Sequence, residues 1–107
     1  GEARAKALAL TAHPLPAEDA AAWGLIWKAV DDDALMAEAE ALAKNFADGP
    51  TNAYALTKQA IHAASTNTLD QQLALERTLQ REAGFSDEYR EGVAAFLEKR
   101  PPNYRGT

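Results

Sequence analysis

The sequence contains no cysteine. That excludes disulfides, thiolate nucleophiles and cysteine metal sites, and it fits a reducing compartment, here expected to be the cytoplasm. No signal peptide is evident, and no apolar run is long enough to span a bilayer. Positive charge is in short supply: 11 Lys and Arg stand against 16 Asp and Glu, a formal net charge of -5. This balance argues against a nucleic-acid or anionic-membrane partner. Histidine is scarce too. His13 and His62 fall in separate elements without HxxxH or HExxH spacing, so no metal pair is expected. Asp31, Asp32 and Asp33 complete no loop of the EF-hand kind and read as the acidic start of a helix. Glu38, Glu40, Glu76 and Glu82 read as solvated helix faces and not as a general acid/base pair. There is no internal repeat and no low-complexity tract.

What the chain has is alanine and helical periodicity. At 107 residues and 47% hydrophobic content, it is expected to be one domain at most (1–107) with a modest core. Alanine favours helix but buries little area per residue, so that core is expected to lean on a partner. A helix is predicted over 2–12, broken by Pro14 and Pro16. Pro16 is placed to open a short second helix through Trp23, and Gly24 ends it. Leu25 to Val30 is the only β-like run, and a strand without a mate implies a missing neighbour. A long helix follows to Phe46, with Leu35, Ala39, Leu42 and Phe46 along one stripe. The next, about 51–64, is read with Tyr54, Ile61 and Ala64 on its apolar face. Thr68 with Gln71 forms a capping-box pattern for a fifth helix ending at Gly84, which is expected to close it in the left-handed conformation. Since the chain opens on Gly1 and not Met, either Gly1 is an expression remnant or the chain is a piece of a longer protein.

The last helical stretch is the most informative. Ser86 can cap it, Asp87 and Glu88 suit its positive end, Lys99 and Arg100 its negative end, and Pro101 and Pro102 forbid continuation. Tyr89, Val93, Phe96 and Leu97 share one stripe. On spacing alone, Phe96 packs on that stripe and Lys99 complements the helix dipole. Gly92 in mid-helix costs about 1 kcal/mol relative to Ala, which suggests close approach of a backbone or ligand, or chance.

The wording Arg90-Glu91-Gly92-Val93-Ala94-Ala95-Phe96-Leu97-Glu98-Lys99-Arg100 closely resembles the C-terminal signature of the enoyl-CoA hydratase/isomerase (crotonase) family. Gly49-Pro50 followed by Leu56-Thr57-Lys58 resembles that family's Gly-Pro … Leu-Thr-Lys helix, and the segment from Pro14 to Leu25 its Ala-rich helix and Gly-Leu turn. Within the family, Trp23-Gly24-Leu25-Ile26-Trp27-Lys28, Thr66-Asn67-Thr68-Leu69-Asp70 and Arg81-Glu82-Ala83-Gly84 most resemble the 2-(1,2-epoxy-1,2-dihydrophenyl)acetyl-CoA isomerase branch of phenylacetate catabolism.

The resemblance implies a mainly α fold of five to six short helices with at most one short strand, the C-terminal helical (trimerisation) part of a crotonase-like fold. It implies a parent enzyme acting on acyl-CoA thioesters, with no tightly bound cofactor. Its oxyanion hole and proton-moving carboxylates would lie before residue 1, so no catalytic residue is assigned and the piece alone is expected to be inactive. Phe96 and Lys99 match family positions that reach a neighbouring subunit's CoA, Lys at the nucleotide phosphate and Phe along the acyl or pantetheine channel. Gln80 stands where some hydratases stack an aromatic on adenine, a departure from the family pattern. The implied partners are the chain's own N-terminal domain and further copies, a trimer or hexamer for the parent and a dimer or trimer for the piece. A stand-alone, non-catalytic helical self-association module is the alternative from a different class.

Overall fold

The computed structural model describes residues 1–105. Among these, six helices form and no strand: α1 (Glu2–Thr11), α2 (Ala17–Ala22), α3 (Leu35–Ala47), α4 (Thr51–Ala64), α5 (Leu69–Gly84) and α6 (Asp87–Glu98). The chain divides into two compact units, the first Gly1–Glu38 and the second from Ala39 onward.

In the first unit the breaks fall where the local chemistry puts them. α1 ends with Ala12 in the left-handed region (φ 52°), its amide bonded back to Leu8, and Pro14 follows. Pro16 is the N-cap of α2, where a missing amide hydrogen costs nothing. Gly24 reverses the chain with φ 75°, the conformation glycine adopts most cheaply. Arg4 ties α1 to this turn: its guanidinium lies 5.0 Å from the Trp23 ring and donates to the Trp23 carbonyl at 3.0 Å.

The β-like run from Leu25 to Val30 forms no strand. Its first two amides, of Leu25 and Ile26, both bond to the Ala20 carbonyl, and no neighbouring strand is present to take up the remaining groups. Asp31 to Asp33 belong to a turn, with the Asp31 carbonyl accepting from Ala34, so α3 starts at Leu35.

The second unit is built on α4, α5 and α6. The apolar face of α4 differs from the one its sequence suggests. Leu56 is buried and Ala53, Ala60 and Ala63 are half-buried, whereas Ile61 is 65% exposed. The small residues let α5 pack on this face, and Leu56 of α4 and Leu79 of α5 are both buried. Tyr54 is instead held edge-on to Phe46, with ring centroids 5.6 Å apart. The hairpin between α4 and α5 is fastened by polar groups. Thr68 and Gln71 complete the capping box in both directions, and Gln72 Nε2 donates to the Ala60 carbonyl at 3.1 Å.

Gly84 does not close α5 in the left-handed conformation. It is the last helical residue, and Phe85 continues right-handed at φ -97°. The reason is the next residue. The Ser86 hydroxyl donates to Ala83 O at 2.6 Å and accepts from the Tyr89 amide at 3.1 Å, so one side chain closes α5 and opens α6.

Among the described residues the buried apolar ones are few: Ala20, Leu56, Leu79 and Ala95. Trp27, Phe85, Phe96 and Leu97 are all more than 70% exposed. Such residues normally mark surfaces that another chain or domain covers.

Candidate functional site

A groove of about 350 Å³ runs along α6. α6 supplies Tyr89, Gly92, Val93, Phe96 and Leu97, the start of α4 supplies Pro50 and Ala53, and Tyr104 comes from the segment after α6. The three-and-four spacing read from the sequence therefore puts Phe96 in a groove wall, 82% exposed, and not in the core. Ala95 takes the core position beside it, at 1% exposure.

Lys99 is the C-cap of α6 and one of two non-glycine residues with positive φ (53°) among the described residues. Its amide bonds to the Phe96 carbonyl at 3.3 Å, which ties the two residues together at the helix end. Lys99 does not line the groove. Phe96 thus borders an apolar space while Lys99 stands outside it at the negative end of a helix.

Two features of the site were not legible as such. The first is Glu88, read from sequence only as a charge favoured in the first turn of α6. Its carboxylate is 7% exposed and accepts from the Asn52 amide at 2.9 Å and the Ala53 amide at 3.1 Å. α4 has Pro50 as N-cap, with no side-chain cap of its own, so Glu88 satisfies amides that would otherwise be orphaned. One carboxylate therefore joins the starts of α4 and α6.

The second is the segment 100–105. Arg100 grips Glu91 through two parallel bonds, Nη1 to Oε1 at 2.6 Å and Nη2 to Oε2 at 2.9 Å, and the Asn103 amide adds a third at 2.7 Å. Arg105 pairs with Asp48 in the α3–α4 connection. Between these attachments Tyr104 passes over Gly92, and a Cβ on Gly92 would lie 3.3 Å from the Tyr104 hydroxyl. The neighbour at Gly92 is thus a side chain of the same chain, and not the backbone or ligand that the sequence suggested. No pattern of spacing announces this contact, since the residues between adopt no repeating structure.

The Arg100 guanidinium and the Asn103 amide hold the Glu91 carboxyl down at about 2, from an ordinary 4.5. The same pairing, with help from Glu98, raises Arg100 above its usual value. A carboxyl depressed on folding stabilises the fold above its unfolded value and loses that contribution as pH falls through its folded one. Between pH 4.5 and 2 the grip on residues 100–103 is expected to loosen, seen as a fall in the protection of the Asn103 amide relative to its unstructured exchange rate. Glu91→Gln should show low protection across that whole range. High protection in the variant at neutral pH would contradict the assignment.

Among the described residues no helix is long and apolar enough to cross a membrane, and no group of three or more His, Asp or Glu is placed to hold a metal ion.

The fold has close counterparts. The helical arrangement superposes on an enoyl-CoA hydratase subunit I from Geobacillus kaustophilus HTA426 with a TM-score of 0.89 and 33% identity, covering 97% of this chain and 40% of that one. An enoyl-CoA hydratase from Mycobacterium marinum gives 0.86 and 35% identity over 98% of this chain and 42% of its own. The architecture is that of the helical part of a crotonase-like fold. The family description "Enoyl-CoA hydratase/isomerase" matches residues 1–107, and the chain belongs to that family. In sequence it is 55% identical over 106 residues to the 1,2-epoxyphenylacetyl-CoA isomerase of Escherichia coli K12, covering 99% of this chain and 40% of that protein. A probable enoyl-CoA hydratase of Rhodobacter capsulatus is 51% identical over 99% of this chain and 41% of its own length. The chain thus spans about two fifths of the length of these curated relatives.

Proposed function

We propose that this chain is the C-terminal oligomerisation and CoA-covering segment of an enoyl-CoA hydratase/isomerase acting on acyl-CoA thioesters, in phenylacetate or fatty-acid catabolism. The observation that carries the reading is the end-to-end match of this chain to two fifths of a 1,2-epoxyphenylacetyl-CoA isomerase. The chemistry of such an enzyme needs preorganised donors for an enolate-like oxyanion and a positioned carboxylate to move protons. Those groups belong to the remaining three fifths, and the chain alone is inactive. The parent works in the cytoplasm without a tightly bound cofactor.

The uncovered side chains of Trp27 and Phe85 support the partners. They are the parent's N-terminal domain and further copies of the chain, three or six in the parent, two or three for the piece. A self-association module would use the same faces, but the match to longer enzymes favours the first reading.

Phe96 borders the acyl or pantetheine part of a neighbouring subunit's CoA, and Lys99 approaches its phosphate as a point charge. An exposed charge pair of this kind contributes about 1 kcal/mol, so Lys99→Ala in the parent should raise KM about fivefold with kcat held within about twofold. Phe96→Ala should raise KM by a similar or larger factor. Steady-state kinetics in which both variants keep the parental KM would remove both assignments.

A further inference from the structure

The groove on α6 takes a ligand of one kind. Its volume of about 350 Å³ lies at the small end of the roughly 300–1,000 Å³ of small-molecule sites, and about 150 Å³ is enough for a benzene ring. No Lys or Arg lines it, and its one carboxylate, Glu88, is committed to the amides of α4. Pro50, Ala53, Val93, Phe96 and Leu97 present carbon to the space. The lining offers a phosphate no cationic side chain, whereas a phenyl or acyl group meets mostly carbon.

One wall is unlike the others because it belongs to no helix. Tyr104 is carried by residues 100–105, a strap fixed at Glu91 by Arg100 and the Asn103 amide and at Asp48 by Arg105, with Pro101 and Pro102 as a stiff spacer. Gly92 and Phe96 lie one turn apart on the same face of α6. A Cβ at Gly92 would lie 3.3 Å from the Tyr104 hydroxyl, close enough to press on it, and Tyr104 and Phe96 line the same groove. A mid-helix glycine that costs stability is thereby explained as room for this tyrosine.

We propose that Tyr104, positioned by the 100–105 strap, is a specificity-determining wall that limits the length of the acyl or aryl group admitted to the Phe96 groove. This rests on the reading of the parent as an acyl-CoA enzyme. Glu91, Arg100, Asp48 and Arg105 act through Tyr104 and are positioning residues.

The test measures kcat/KM of the intact parent on straight-chain 2-enoyl-CoA thioesters from four to ten carbons. Tyr104→Ala should raise the ten-carbon to four-carbon ratio about tenfold or more, the size of effect that opening an apolar pocket by a few methylenes produces. Tyr104→Phe should leave the ratio within twofold, and Arg105→Ala should move it in the direction of Tyr104→Ala. Gly92→Ala, which crowds Tyr104 from below, should lower the ratio about threefold and serves if Tyr104→Ala does not fold. A ratio unchanged in both Tyr104→Ala and Gly92→Ala overturns the proposal. If Phe96→Ala then still shifts the ratio, only the role of Tyr104 fails. A parent that turns over no enoyl-CoA thioester overturns the functional reading and this proposal with it.

Discussion

Replacing Glu88 with alanine should lower the unfolding free energy by about 3 kcal/mol, because two helix-terminal amides lose a charged acceptor in a nearly dry site. Both bonds are of ordinary length, 2.9 and 3.1 Å, and the residue is 7% exposed, so water does not readily replace the carboxylate. Glu88→Gln keeps one accepting oxygen and turns an NH₂ group toward the second amide, so about half of the loss is expected. The effect should appear as a fall in the urea midpoint with an unchanged slope. A loss under about 0.5 kcal/mol for the alanine variant, the size of an ordinary surface change, would show that the bridge between α4 and α6 is not made in solution. The consequence reaches the groove, since residues of both helices line it. A looser α4 start should also weaken acyl-group selectivity in the parent.

Leu79→Ala should cost about 2–5 kcal/mol. Leu79 is one of four buried apolar residues among those described, and its helix, α5, packs on α4, which carries the buried Leu56. A core this small has little slack, and a domain's whole stability is of order 5–15 kcal/mol, so a large fraction of molecules should unfold. Ile61 provides the contrast. It is of similar size but 65% exposed, and Ile61→Ala should change the stability of the isolated chain by under about 0.5 kcal/mol. On the functional reading proposed above, the same substitution in the parent should cost as much as a core change, since that face of α4 would be covered. Equal effects at Leu79 and Ile61 in the isolated chain would contradict the packing described.

The difference between these two positions also explains what could be read from the sequence. Helix ends are set by local chemistry, and Pro16, Gly24, the Thr68–Gln71 box and Ser86 each mark one where the structure has it. Which face of a helix is buried depends on what is present to bury it. On α4 the large apolar side chains, Tyr54 and Ile61, suggest one face, but the packed face uses Ala53, Leu56, Ala60 and Ala63. The β-like run at 25–30 forms no strand for the same reason, since among the described residues there is no second strand to pair with it. Gly84 shows a shorter-range conflict, in which an immediate serine cap makes a left-handed residue unnecessary.

The site was partly legible. Phe96 and Lys99 lie in a stretch whose wording resembles a family signature, and the structure puts one in a groove wall and the other at a helix cap. Glu88 as a cross-helix cap and Tyr104 as a wall depend on contacts across 35 and 12 positions of sequence, which periodicity does not encode.

The measurement that tests the central claim most directly is turnover of unsaturated acyl-CoA thioesters by the intact parent and by the isolated 107-residue chain, at equal concentrations of this segment. The account predicts turnover by the parent and a rate at background for the isolated chain. Turnover by the isolated chain, or none by the parent, would contradict it.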